Sequence, residues 1–242
     1  AVMVSRVFFE TAMVNTALVR IAEIARAWGV PVLVDDYHGT NVVPLSLRTQ
    51  GLEDVHLLIG GYKYLQWGEG NCFLRFPRDC GMRPVVTGWF ASFGTLDSPR
   101  SPGRVDFDPG DQRFASATYD PVSQYRASGT VAFFERQGLD PQVLQSQYQA
   151  QTALLRTLFE RRDPDPDRIR LASDASAAPH GGFVAFRSER AREISAELRT
   201  RGVFTDARGS ILRAGPAPYT SSGMCRDFID VLMEAAGSVY GS

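Results

Sequence analysis

The sequence predicts an α/β chain, with a mostly parallel sheet and its helices first and a smaller α+β unit after it. Two observations carry this expectation. In the first half, short continuous apolar runs alternate with helical spacing, the order in which parallel strands and their crossovers occur. The second half carries a separate apolar pattern, which places a larger domain at 1–138 and a smaller one at 139–242.

Val2 to Phe9 is β-rich and apolar. From Asn15 to Trp28, Leu18, Ile21, Ala22 and Ala25 recur at helical spacing, and Gly29 stops the helix. PVLVDD then reads as a buried parallel strand ending in acids. HLLIGG and NCFLRF are two further strands. Residues 97–112, rich in Pro, Gly, Asp and Ser, read as a long loop. Helices follow near Val122 to Gln137 and Pro141 to Arg162, broken at Gly138, and DPDPD is a loop. RIRLAS, GFVAFRS, VFTDAR and SILRAG read as strands. Helices from Glu189 to Arg201 and from Cys225 to Val239 complete the smaller unit.

The composition narrows the functional classes. Net charge is −1 with no dense basic block, which argues against a nucleic-acid or membrane-surface binder. Three cysteines, Cys72, Cys80 and Cys225, form no CxxC pair and read as reduced structural thiols of a cytoplasmic protein. No apolar run is long enough to span a bilayer, and AVMVSRVFF lacks the features of a signal peptide.

The stretch GGYKYLQWGEG carries the chemistry. Lys63 stands at the carboxyl end of a strand-like run, as Asp35 does in the run before, and ligands of α/β sheets collect at such ends. A lysine partly removed from water has a lowered pKa and can form a Schiff base. An acid on a neighbouring strand can hold a pyridinium nitrogen protonated. Pyridoxal phosphate needs both roles.

VDDYHGT, GGYKYLQWGEG, GWF, RFASAT and ILRAGPAPY, in this order, resemble the kynureninase family, a fold-type-I, class-V-aminotransferase-like group of pyridoxal-phosphate enzymes. The Tyr-Lys-Tyr-Leu is the most discriminating element, because related desulfurases typically carry His before the lysine. The resemblance implies part of a fold-type-I large domain plus the small C-terminal domain. It implies that Lys63 anchors the cofactor as a Schiff base and that Asp35 pairs with the pyridine nitrogen. His38 then lies beside the cofactor, and Tyr62 bonds its phosphate and helps proton transfer. Trp89 reaches the phosphate through its indole N–H, and Thr118 approaches the cofactor, often from a neighbouring subunit. Arg213 holds the α-carboxylate of an amino-acid substrate, a task suited to its planar fork.

The activity so implied is hydrolysis of the β–γ carbon bond of kynurenine or 3-hydroxykynurenine, in a homodimer acting in tryptophan catabolism. Tyr37 before His38, and Gln66-Trp67 after the lysine motif, depart from the family pattern at the pocket border. The family's phosphate loop and ring-stacking aromatic precede the first strand seen here, so the chain is expected to lack that part. Two alternatives stay open: another class-V activity (aminotransferase, desulfurase or lyase), or a non-catalytic partner without cofactor.

Plainer readings accompany several residues. Asp36 caps the following turn. A metal site of Asp35, Asp36 and His38 lacks further ligands, so none is expected. Trp89 can be core, Arg213 can pair with an acid, and Thr118 needs no function. His56 and His180 read as structural. Glycines 60, 61, 68 and 70 allow close backbone approach and make no dinucleotide fingerprint.

Overall fold

In the computed structural model, which describes residues 1–99, 102–174 and 179–241, the first half begins with a strand–helix–strand unit. It comprises β1 (Val2–Ser5), α1 (Leu18–Ala27) and β2 (Val32–Asp35). β3 (His56–Gly60) and β4 (Cys72–Arg75) complete a sheet of order β1-β2-β3-β4. The first three strands are parallel and β4 is antiparallel to β3. Leu18, Ala22 and Ala25 of α1 bury against Val32, Val34 and Leu57 of the sheet, with Leu52 and Val55 filling the gap. Their i, i+4, i+7 spacing sets one apolar stripe facing the sheet. Gly29, at a φ of 62°, takes the left-handed turn that ends the helix.

Beyond β4 the chain is irregular, with two short 3-10 segments at Trp89–Thr95 and Gly110–Phe114. The second falls at the end of the stretch expected to be a loop. Side chains order that stretch: Ser92 Oγ donates to Asp106 O at 2.7 Å, and Gly94 N donates to Asp108 Oδ2 at 2.8 Å. Arg100 and Ser101 of the same stretch lie outside the described residues.

α2 (Pro121–Gln137) and α3 (Pro141–Glu160) start alike. An Asp precedes a first-turn Pro in each, and its carboxylate accepts the early backbone N–H groups: Asp120 from Val122 and Ser123, Asp140 from Val143. Gly138, left-handed at φ 63°, closes α2. The remainder is β5 (Arg170–Leu171), β6 (Val184–Arg187), α4 (Ala191–Thr200), β7 (Asp206–Arg208), β8 (Ile211–Ala214) and α5 (Ser222–Gly241). These strands form a second, antiparallel sheet of order β5-β6-β8-β7. VFTDAR yields a strand only at its last three residues, where it pairs with β8.

α3 serves both halves. Leu144 and Tyr148 pack on Val42 and Tyr64 of the first half, whereas Leu155 and Phe159 enter the core under the second sheet. That core, with Phe186, Ile194, Leu212 and Leu232 fully buried, is the larger apolar cluster. Phe186→Ala is expected to lower the unfolding free energy by about 3–5 kcal/mol, measured by denaturant titration.

Candidate active site

The parallel register brings Ser5, Asp35 and Leu58 level at the carboxyl end of the sheet. Asp35 is the last residue of β2, and one of its carboxylate oxygens accepts the Tyr37 N–H at 3.1 Å. Lys63 lies three residues past β3, in a turn folded tightly on the start of β4. Gly61 N donates to Asn71 O at 2.8 Å, and Trp67 N donates to Gly61 O at 2.9 Å. Gly60 is required here: a Cβ would stand 2.1 Å from Cε1 of Tyr37. Lys63 Nζ sits 3.1 Å from His38 Nε2 and 5.2 Å from the centre of the Tyr62 ring. Tyr62 meets Tyr37 edge to face at 5.9 Å.

A cavity of about 610 Å³ opens over the amine, lined among others by His38, Lys63, Tyr64, Tyr148, Phe183 and Arg213. Arg213, on β8, comes from the second sheet. Its guanidinium lies 3.6 Å over the Phe9 ring and pairs with Asp206, its cross-strand partner on β7. The Arg213 Nε is buried without a hydrogen-bond partner among the described residues.

The electrostatics favour a reactive amine. Burial pushes the Lys63 pKa down, and the charges of Arg213 and Arg208 add to it; Asp35 and Asp206 pull the other way. Burial, then the charge of Lys63, depresses His38 to about 4, so the imidazole is neutral near pH 7. Burial works against ionisation of Asp206, but the Arg213 ion pair and the nearby cations outweigh it and hold the carboxyl below its usual range.

Lys63 is also the single lysine among 26 lysines and arginines in the sequence. Arginine can replace lysine wherever only charge is needed, but a guanidinium does not deprotonate to a nucleophile. Composition alone therefore singles out this residue. Nothing comparable in the sequence marks Asp206, Tyr64 or Tyr148, which folding brings to the same cavity.

Of the residues expected at the site, the structure brings together Asp35, His38, Tyr62, Lys63 and Arg213. Trp89, 52% exposed, instead borders a separate cleft with Ser92 and Arg104, and Thr118 is exposed. Both belong to a face joined by Phe90 N donating to Ser116 O at 3.2 Å and by a Phe90–Tyr119 ring contact. Asp36 does more than cap a turn: it is buried against Arg6. Arg213 does pair with an acid while still lining the cavity. His180 Nε2 lies 3.0 Å from Ser173 Oγ and His56 Nε2 lies 3.6 Å from Cys80 Sγ, both within the packing. Among the described residues, no group of three or more His, Cys, Asp or Glu could hold a metal ion, and no helix is long and apolar enough to cross a membrane.

His38 and His180 share a depressed folded value of about 4 against 6.5 for an ordinary histidine. The unfolded chain therefore binds more protons than the fold between those values. Their contribution is present above the ordinary value and is lost as pH falls through the folded one. The melting temperature is expected to decline across this window, and His38→Gln to flatten the decline, measured by circular dichroism at stepped pH.

Residues 144–232 match a family model described as the kynureninase C-terminal domain. An uncharacterized aminotransferase of Bacillus subtilis is 24% identical over 219 residues, covering 87% of this chain and 53% of that protein. A kynureninase of Xanthomonas campestris is 25% identical over 210 residues, covering 84% of this chain and 48% of that protein. The chain thus spans about half the length of the curated relatives it matches. Among solved structures, a cysteine desulfurase from Thermococcus onnurineus superposes with a TM-score of 0.74 at 15% identity, over 98% of this chain and 60% of that one. At that identity the superposition establishes the fold alone, that of fold-type-I pyridoxal-phosphate enzymes. The C-terminal part of this chain is therefore similar to the kynureninase C-terminal domain, and most of its length is distantly similar to a kynureninase and an aminotransferase.

Proposed function

We propose that this chain supplies the Schiff-base lysine and the substrate-carboxylate arginine of a pyridoxal-phosphate hydrolase of the kynureninase type. The observation that carries the reading is the sole lysine, half-buried beside a neutral imidazole, sharing one cavity with Arg213. The cavity, the Asp35 carboxylate at the strand end and the amine with its lowered pKa fit pyridoxal phosphate.

When bound, the cofactor supplies an aldehyde carbon for the amine and a cationic ring that withdraws electrons from the substrate α-carbon. Lys63 would hold it covalently, and its amine is the base that would take the substrate α-proton. Asp35 would hold the ring nitrogen protonated, His38 would border the ring, and Tyr62 would serve the phosphate and proton transfer. Arg213 would fix the α-carboxylate, its guanidinium packed 3.6 Å over the Phe9 ring and 5.4 Å from that of Phe183. Water and the substrate then give alanine and an anthranilate from kynurenine or 3-hydroxykynurenine.

The three cysteines support this reading over a desulfurase. Cys80 and Cys225 are buried, and Cys72 lies in β4 with its sulfur 3.2 Å from the Tyr37 hydroxyl, so none lines the Lys63 cavity. We further propose a homodimer. Trp89, Phe93, Tyr119 and Tyr125 expose an aromatic face outside the cavity. In a dimer this face carries Trp89 and Thr118 toward the cofactor of the second copy.

Purified protein mixed with pyridoxal phosphate is expected to gain a near-visible imine absorbance that Lys63→Arg lacks while folding normally; a band persisting in the variant refutes the anchor. Arg213→Met is expected to raise KM for kynurenine about 10- to 100-fold, from the loss of a charged hydrogen bond worth roughly 1.5–3 kcal/mol. Unchanged KM in steady-state kinetics counts against the carboxylate role.

A further inference from the structure

We propose that the buried Arg6–Asp36 ion pair, with Thr40, is a positioning element that pins the turn presenting Asp35 and His38 to the Lys63 amine. The inference rests on Lys63 being the reactive group.

Both charges are withdrawn from water, with side-chain exposures of 3% for Arg6 and 1% for Asp36. Such a pair contributes little to stability over apolar residues of equal volume, because desolvation offsets the attraction. Its geometry instead constrains one short loop. Arg6 Nε donates to Asp36 Oδ1, and Nη2 donates to Oδ2 at 2.9 Å. The remaining nitrogen, Nη1, donates to Val43 O at 3.0 Å and to Pro44 O at 3.1 Å. One guanidinium therefore ties the start of the loop to its end, with His38 between them.

Thr40 Oγ1 closes the turn by donating to Asp36 Oδ2 at 2.7 Å. Gly39 lies directly against the pair: a Cβ there would stand 2.2 Å from Asp36 Oδ1 and 2.6 Å from Arg6 Nε. The lock is anchored to the sheet on both sides, since Arg6 N donates to Asp35 O and Asp36 N to Leu58 O, each at 2.9 Å. The loop has no regular secondary structure to hold the 3.1 Å contact between His38 and Lys63. The ion pair performs that task.

The single lysine makes the test direct. The labelling of Lys63 by trinitrobenzenesulfonate is followed by peptide mass spectrometry from neutral to alkaline pH. The compared proteins are the parent, Arg6→Met/Asp36→Leu and Thr40→Val. Every ionisable group facing the amine stays in place: His38, Tyr62, Asp35, Asp206, Arg208 and Arg213. The expected result is a folded double variant, by circular dichroism and melting temperature, whose labelling profile moves to higher pH as the turn loosens and water reaches the amine. Arg26→Met, which breaks an exposed pair with Asp54, leaves the profile in place.

A folded double variant with the parent's profile overturns the inference. Should the double variant not fold, Thr40→Val decides: an upward shift supports the lock, and superposition on the parent refutes it. A parent profile in the ordinary lysine range overturns the reading of Lys63 and this inference together. A low parent profile shared by the folded variants overturns this inference alone.

Discussion

The Lys63 ammonium is held partly out of water, within 3.1 Å of an imidazole that is itself neutral, and the rest of the site is arranged around that contact. Losing hydration makes the charged amine costly, and the charges of Arg213 and Arg208 raise the cost further. Asp35 and Asp206 return part of it. A group so balanced gives up its proton more readily than an ordinary lysine, which a nucleophilic amine requires. Elsewhere in the sequence positive charge is carried by guanidinium groups, which serve ion pairs well and acyl or imine chemistry poorly.

The cavity beside this contact forms where the two sheets meet at a seam. Past β1 the chain bridges Val7 to Val14 and Met13 to His180, and Gly181 N donates to Ala12 O at 2.7 Å. Val7 and Ala12 then share one apolar cluster with Phe183, Ala185 and Ile211 of the second half. At Gly182 a Cβ would meet the Tyr64 ring at 2.7 Å, so the lysine loop packs on bare backbone. The parallel strands deliver the amine and the Asp35 acid from one side of the seam. The antiparallel pair β7–β8 delivers Arg213 and Asp206 from the other. α3 spans both, packing on the first half through Leu144 and Tyr148 and on the second through Leu155 and Phe159.

The elements nearest the site were legible in the sequence because each rests on local chemistry. The apolar run before Asp35 and the helical stripe of Leu18, Ala22 and Ala25 follow from period and burial. The separation of α2 and α3 follows from Gly138. The 3-10 turn at Gly110–Phe114 was not legible, because Pro-Gly-Asp composition signals irregular backbone without saying which side chains will order it. The strand in VFTDAR shrank for a related reason: pairing to β8, set by tertiary register, decides its length.

By itself, the sequence determined which residue can act as the amine, which acid ends the adjoining strand and which family's order of motifs the chain resembles, since residue type and short-range spacing suffice for these. Tertiary structure alone decided that Arg213 stands over Phe9 beside Asp206, that Arg6 pairs with Asp36 across thirty residues, and that Trp89 and Thr118 do not line the Lys63 cavity. Those arrangements depend on how the two sheets pack and on where burial strips water from charge. No local pattern encodes either.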